Sequence, residues 1–173
     1  MVIQGKNTNL RLVEIDDAEF ILNLRLDQTK SRYISKVEND LSKQINWLKE
    51  YKKREQAKTE YYFIIENKND EKCGVLRLYD FIADSFCWGS WILKENSPSY
   101  MAIESALLVY EFAFYNLKFN KSHFDVRIKN EKVVAFHTRL GATVTGSDEL
   151  NYYFNYTKES YEKIKNKYKK YLP

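Results

Sequence analysis

Apolar and polar side chains alternate over LRLVEI (Leu10 to Ile15), the pattern of a half-buried strand, and Asp16 and Asp17 then offer N-cap chemistry for a helix over AEFILNLRL. In SKQINWLKEYKKR, beginning near Ser42, the residues Ile45, Leu48 and Tyr51 recur at helical spacing, which predicts a second helix. Three β-rich segments follow: YYFIIEN (Tyr61 to Asn67), GVLRLYDFIA (Gly74 to Ala83) and SFCWGSWIL (Ser85 to Leu93). The turn composition NKNDEK joins the first two as a hairpin. MAIESALLVYEFAFYNL is apolar around most of its circumference, as a central helix packed on a sheet would be, with Ser97 suited to its N-cap and Pro98 to its first position. HFDVRI (His123 to Ile128) reads as a strand, EKVVAFHTRL as a short helix stopped by Gly141, ATVT and YYFNY as closing strands, and KESYEKIKNKYKKY as a terminal helix. Strands in a run and then alternating with helices predict an α/β (α+β) fold with a mixed central sheet of about seven strands flanked by helices. No repeat or composition shift divides the chain, so residues 1–173 are expected to form one domain.

Composition narrows the function classes. With 44% hydrophobic and 16% aromatic residues the chain has ample material for one core, and 5 Gly and 2 Pro leave little linker-like sequence. The opening MVIQGKNTNLRLVEIDD lacks an apolar signal region, and no stretch approaches the roughly 18 uninterrupted apolar residues of a membrane span, so a cytoplasmic protein without a membrane partner is expected. Cys73 and Cys87 are too few and too isolated for a disulfide framework or a four-ligand zinc site, and no metal is expected. The net charge of +4 is concentrated in the terminal helix, which reads as a solvated lysine-rich face rather than the dense basic stripe of a nucleic-acid binder. Long-range attraction of phosphorylated ligands is the sharper reading of that charge.

Two stretches carry a resemblance. The run NEKVVAFHTRLGA (Asn130 to Ala142) is similar to the Asn, short amphipathic helix and Leu-Gly-Phe segment of the Gcn5-related N-acetyltransferase (GNAT) superfamily. WGSWI (Trp88 to Ile92) followed by AIESA (Ala102 to Ala106) resembles that superfamily's Gly-x-Trp strand and the helix after it. The segments NLRLDQTKSRYI and INWLKEY also resemble the amino-terminal part of acetyltransferases of surface-polysaccharide and nonulosonic-acid pathways, and the chain as a whole resembles the ribosomal-protein N-acetyltransferase-like branch as well. The resemblance implies an acyltransferase that moves acetyl from acetyl-CoA to the amine of a small-molecule acceptor, most naturally a nucleotide-linked amino sugar, by direct attack in a ternary complex. Two alternatives stay open: acetylation of a protein N-terminal amine, and a catalytically silent GNAT-fold binding module. Oligomeric state is not legible, and a homodimer is admitted.

The resemblance also assigns residues. A backbone amide of Trp91, Ile92 or Leu93 would face the thioester oxygen, and Asn130 would bond the pantetheine arm or cap the helix that follows it. Phe136 would pack beneath the coenzyme. The phosphate loop departs from the family pattern: Ser97, Pro98, Ser99, Tyr100, Met101 and Ala102 stand where glycines usually let the pyrophosphate approach. Pro98 removes a donor and Tyr100 adds bulk, while Ser99, Tyr100, Met101 and Ala102 are expected to keep free amides at the helix start. This departure is the best argument for the silent reading, and Tyr100→Gly is expected to strengthen coenzyme binding if the path is merely crowded. His137 stands where relatives carry a tyrosine acid and would protonate the departing thiolate, with packing as its structural alternative. The aligned general-base position is Cys87, which reads as a small buried hydrophobe, leaving proton removal to water, to the backbone or to a carboxylate such as Glu104 or Asp125. Arg25, Arg32, Tyr33 and Trp47 would hold the acceptor, because guanidinium forks suit phosphate and aromatic faces suit a base or sugar.

Overall fold

The computed structural model describes residues 1–27 and 30–173; Gln28 and Thr29 of the NLRLDQTKSRYI segment lie outside the described residues. The chain runs β1 (Val2–Gln4), β2 (Thr8–Leu12), α1 (Ala18–Leu26), α2 (Leu41–Gln56), β3 (Tyr61–Asn67), β4 (Lys72–Ile82), β5 (Ser85–Leu93), α3 (Tyr100–Glu111), β6 (Lys121–Arg127), α4 (Glu131–Leu140), β7 (Thr143–Ser147), β8 (Asn151–Thr157) and α5 (Lys158–Lys165). The strands form one eight-stranded mixed sheet in the order β1-β2-β3-β4-β5-β6-β8-β7. The strand beyond the expected seven is β1, whose three residues pair antiparallel with Asn9 to Arg11 and are too short to carry an alternation signal.

Strand parity sorts the apolar side chains into two cores. Tyr62, Ile64, Val75 and Ile92 face α1 and α2, where they meet Ile21, Leu24, Leu48 and Tyr51. Tyr61, Phe63, Leu76, Leu78, Phe86, Trp88, Phe124 and Phe154 face the other way and pack with α3 and Tyr161 of α5 in the larger core. The result is a three-layer α/β/α arrangement, which follows from β3 being apolar on both faces, with Val75 of β4 and Ile92 of β5 extending its α1 and α2 side.

Two helix starts differ from expectation. Asp17 occupies the N-cap position of α1 but makes no side-chain cap bond there. Its carboxylate is pulled instead into ion pairs with Arg11 at 2.8 Å and Lys72 at 2.7 Å and accepts from the Glu14 amide at 2.8 Å, so it ties β2 and β4 to the entry of α1. Ser97 does not cap α3: its hydroxyl donates back to the Lys94 carbonyl at 2.8 Å, and the helix starts at Tyr100 after Ser99. The end of α4 is as expected, since Gly141 stops it in the left-handed conformation at φ 99°.

One topological detail makes the site. β5 and β6 are parallel neighbours joined only at Ser85 with Lys121 and Phe86 with Ser122. Beyond those rungs β5 stays with β4, paired through to Gly74 and Leu93, while β6 stays with β8, paired from Lys121 and Thr157 to Arg127 and Asn151. The sheet therefore opens between β5 and β6.

Candidate active site

The opening is a cavity of about 510 Å³ that passes through the sheet, since residues of both faces line it: Trp88, Phe124 and Val126 from one, Arg77, Tyr79, Gly89, Asp125 and Arg127 from the other. A second cavity of about 520 Å³ lies between the start of α3 and α4, lined by Ala102, Phe136, Lys132 and Arg139 among others. The two share Trp91 and Val133 and so adjoin at that point. A donor and an acceptor could meet there.

The β5 wall is bulged beside the junction. Its register with β4 shifts between Val75 and Arg77, and Ser90 takes a positive φ of 48°, so Ser90 and Trp91 swing out of the ladder. Lys94 donates to the Cys73 carbonyl at 2.7 Å, and the alternation of an antiparallel ladder then turns the Ile92 amide toward β4 and the Leu93 amide toward the opening. Ile92 is thereby corrected as an oxyanion donor, and its side chain is buried beneath α1 and α2. Leu93 keeps its amide on the open side, and the bulge takes Trp91 out of the regular ladder with β4. The Trp91 indole donates to Ser105 Oγ of α3 at 3.2 Å, which fixes the ring at the junction.

Asn130 precedes α4 at the cavity and makes no side-chain cap bond; its backbone carbonyl takes the Val133 and Val134 amides instead. The capping alternative therefore falls away, leaving the side-chain amide available to a ligand. Phe136 is half-buried on the wall of the second cavity, its ring 5.2 Å from that of Trp91.

At the start of α3 the picture is mixed. The Met101 amide is already bonded to the Pro98 carbonyl at 3.0 Å and its side chain is wholly buried, so Met101 is corrected as a coenzyme contact. Tyr100 lays its ring against the larger core, which removes the expected crowding of the phosphate path and with it the basis for a gain from Tyr100→Gly. Ser99 is exposed and Ala102 lines the second cavity. Lys132 and Arg139, on the same face of α4, bring positive charge to that cavity, which the sequence reading overlooked.

His137 is 4% exposed and boxed by aromatic rings: Phe124 at 4.4 Å, Phe136 at 5.5 Å, Trp88 at 5.6 Å and Phe154 at 6.0 Å. It nevertheless lines the first cavity, and its Nδ1 has no hydrogen-bond partner. Burial without a compensating charge pulls its pKa down to about 3, so the ring is neutral at physiological pH. The ordinary value near 6.5, on which proton donation by an imidazolium depends, is not the value here.

The expected acceptor contacts divide. Arg32 and Tyr33 line the cavity, with the Arg32 guanidinium 5.3 Å from the Tyr33 ring centroid, and Tyr33 Oη donates to the Lys129 carbonyl at 3.1 Å, tying the loop before α2 to the loop before α4. Arg25 and Trp47 do not reach it and are corrected. Arg25 donates to the Ser35 carbonyl and hydroxyl at 2.7 and 2.9 Å and so holds that loop from behind. Trp47 packs on Tyr51 and Tyr62 and flanks Arg77, whose guanidinium lies 5.4 Å from Trp47 and 4.3 Å from Tyr79. Arg77 Nε stands 3.2 Å from Glu60 Oε1, within ion-pair range but without hydrogen-bond geometry. Arg77 was missed, although the alternation of GVLRLYD puts Arg77 and Tyr79 on one face.

Of the carboxylates left open for the base, Glu104 is committed elsewhere: it is 1% exposed and accepts from the Asn7 amide at 3.0 Å and from Asn7 Nδ2 at 2.8 Å. Cys87 is the buried small residue expected, its thiol raised to about 11 by burial. Among the described residues, no helix is long and apolar enough to cross a membrane, and no group of three or more His, Cys, Asp or Glu is arranged to hold a metal ion.

The comparisons agree with this geometry. A solved structure described as apo FdhC, a nucleotide-linked sugar GNAT, superposes with a TM-score of 0.92 at 45% identity, covering 100% of this chain and 99% of that one. A spermidine N-acetyltransferase from Vibrio cholerae in complex with CoA and spermine superposes at 0.74 with 20% identity over 90% of this chain and 98% of its own, a likeness of fold. A search of curated proteins returned no match. The family model for the acetyltransferase (GNAT) domain matches residues 7–143, and with most of its length so matched the chain belongs to the GNAT family and is an acyltransferase.

Proposed function

We propose that this acyltransferase carries acetyl from acetyl-CoA to the amine of a nucleotide-linked amino sugar, by direct attack in a ternary complex. The observation that carries the reading is the pair of adjoining cavities, one with apolar walls and Lys132, Arg139 and Glu131 among its lining residues, the other charged and reached through the split between β5 and β6. The residues of the second cavity fit the coenzyme, Phe136 and Trp91 for the apolar arm and Lys132 and Arg139 for its phosphates, and the uncommitted Asn130 amide, on the wall of the adjoining first cavity, suits its polar groups. Acetyl-CoA supplies the activated acetyl group. The chain's part is to seat it, to offer the Leu93 or Trp91 amide to the carbonyl oxygen, and to hold His137 beside the junction. A neutral His137 can donate an N–H hydrogen bond to the sulfur but is a poor source of a free proton.

The acceptor class rests on the first cavity, where Lys30, Arg32, Arg77 and Arg127 converge around one carboxylate, Asp125. Guanidinium forks match a diphosphate, whereas a polyamine would require the opposite charge balance. The 45% identical neighbour described as a nucleotide-linked sugar GNAT supports the same choice. A silent binding module is disfavoured by the open cavity and the free Asn130 side chain. The soluble chemistry of both substrates suits a cytoplasmic enzyme. Calorimetric titration with acetyl-CoA, followed by a thiol-release assay over UDP- and dTDP-linked amino sugars, tests the reading. Silence at millimolar acetyl-CoA would remove the enzymatic part, and turnover of polyamines or peptides alone would remove the acceptor class.

A further inference from the structure

We propose that Asp125 is the base that takes the proton from the acceptor amine. The proposal rests on the first cavity being the acceptor side, and it does not require the acceptor to be a nucleotide sugar. Among the described residues, Asp125 is the only Asp or Glu that lines this cavity. It is exposed there and no hydrogen bond or ion pair engages it, in contrast to Glu104, which Asn7 occupies with both oxygens. The other titratable groups nearby are unsuited: His137 is neutral with its pKa near 3, and the Cys87 thiol is held protonated by burial, with the Asp125 charge adding to that effect.

Position supports the assignment. β6 alternates, with Phe124 and Val126 turned to the larger core and Asp125 and Arg127 turned to the other face. Across the split, on that same face, stands Gly89, where an added Cβ would come 3.2 Å from Tyr79 Oη. The Tyr79 hydroxyl therefore lies against the Gly89 backbone, and the two line the cavity together with Asp125. Arg77 from β4 and Arg127 from its own strand line the same cavity. Tyr79 and Tyr153, from β4 and β8, both sense its charge, though burial for the first and the Asp148 hydrogen bond for the second are the larger causes of their raised pKa values.

The step balances. As the amine lone pair forms the C–N bond to the thioester carbonyl carbon, the N–H bond on that nitrogen breaks and its proton passes to an Asp125 carboxylate oxygen. The C–S bond breaks with its electron pair on sulfur, and the thiolate is protonated from solvent. Asp125 returns its proton to solvent through its exposed edge.

The test uses the full chain and whichever amine turns over fastest in a screen of UDP- and dTDP-linked amino sugars, spermidine and simple alkyl amines. Asp125→Asn should lower kcat about 100-fold or more while KM, acetyl-CoA affinity and melting temperature stay close to the parent values, and Asp125→Glu should recover part of the loss. Formate added to Asp125→Ala should raise kcat with formate concentration, a response that a packing or anchoring residue would not give. Turnover of Asp125→Asn within about threefold of the parent, far below a general-base effect, would overturn the proposal, as would a rise in KM alone or an absent formate response. A parent enzyme that acetylates only alkyl amines would overturn the nucleotide-sugar reading, and the Asp125 variants would still decide this one.

Discussion

His137→Phe should make the protein more stable and much less active. The substitution keeps an aromatic ring among Phe124, Phe136, Trp88 and Phe154 and removes a buried Nδ1 that has no partner. An unsatisfied buried polar atom costs about 1–3 kcal/mol, so a gain of about 1 kcal/mol at pH 7 is expected. The gain should grow in acid. With its folded pKa lowered to about 3, His137 binds its proton first in the unfolded chain. The parent's stability is then fully present above the unfolded pKa near 6.5 and is lost as pH falls toward about 3. By pH 5 that loss is about 2 kcal/mol, and the variant should not show it. Turnover moves the other way. At pH 7 only about one ring in ten thousand would be an imidazolium, a cost of about 5 kcal/mol that cancels even the upper end of general-acid help, so the neutral N–H is the useful group. A hydrogen bond to developing charge is worth about 1.5–3 kcal/mol, so kcat should drop about 10-fold to 100-fold, with no limb near 6.5 in the parent profile. His137→Tyr, which restores a hydroxyl donor, should recover part of the rate. Urea titrations followed by tryptophan fluorescence at pH 7 and pH 5, beside steady-state rates, read both halves. A variant less stable than the parent at both pH values would refute the account of the orphaned nitrogen, and one turning over within about threefold would refute the role at the sulfur.

Three other substitutions separate the parts of the site. Arg77→Lys loses the stacked fork between Trp47 and Tyr79 and should raise the acceptor KM about 10-fold, the worth of one charge-assisted hydrogen bond, with acetyl-CoA affinity unchanged by calorimetry. Asn130→Ala should weaken acetyl-CoA binding about 5-fold to 10-fold without lowering the melting temperature, because its side chain makes no cap bond to lose; a fall in melting temperature with unchanged affinity would reinstate the capping role. Asp17→Asn should destabilise the fold by about 2 kcal/mol or more at pH 7, since the carboxylate is 2% exposed and engages Arg11 and Lys72. Burial opposes that ionisation, but bonds from Arg11 and Lys72 outweigh it and bring the pKa down to about 2. The Asp17 contribution is therefore present above about pH 4 and lost between about 4 and 2, a window below that of His137 that denaturant titrations can resolve.

Local chemistry made the elements legible, and non-local register hid the site. α4 could be bounded at both ends because its apolar face recurs at helical spacing and Gly141 takes a conformation that few other residues adopt. The start of α3 was harder: Ser97 suits a cap by residue type, but the Lys94 carbonyl claims its hydroxyl, and the helix begins after Ser99 with no side-chain cap bond. Arg77 and Tyr79 were visible as the polar face of a strand, and a polar face usually means solvent. What turns that face into a cavity wall is the parting of β5 from β6 after Phe86 and Ser122, which depends on β8 holding β6 and β4 holding β5. The same parting exposes Asp125 on one side and the Gly89 backbone on the other, two residues far apart in the chain and unremarkable alone. His137 was found by its spacing from Asn130, yet its neutral state follows from rings contributed by β5, β6, β8 and its own helix, an environment no short window of sequence contains. A residue's presence in the site was thus readable from spacing, whereas its protonation state had to await the packing that sets it.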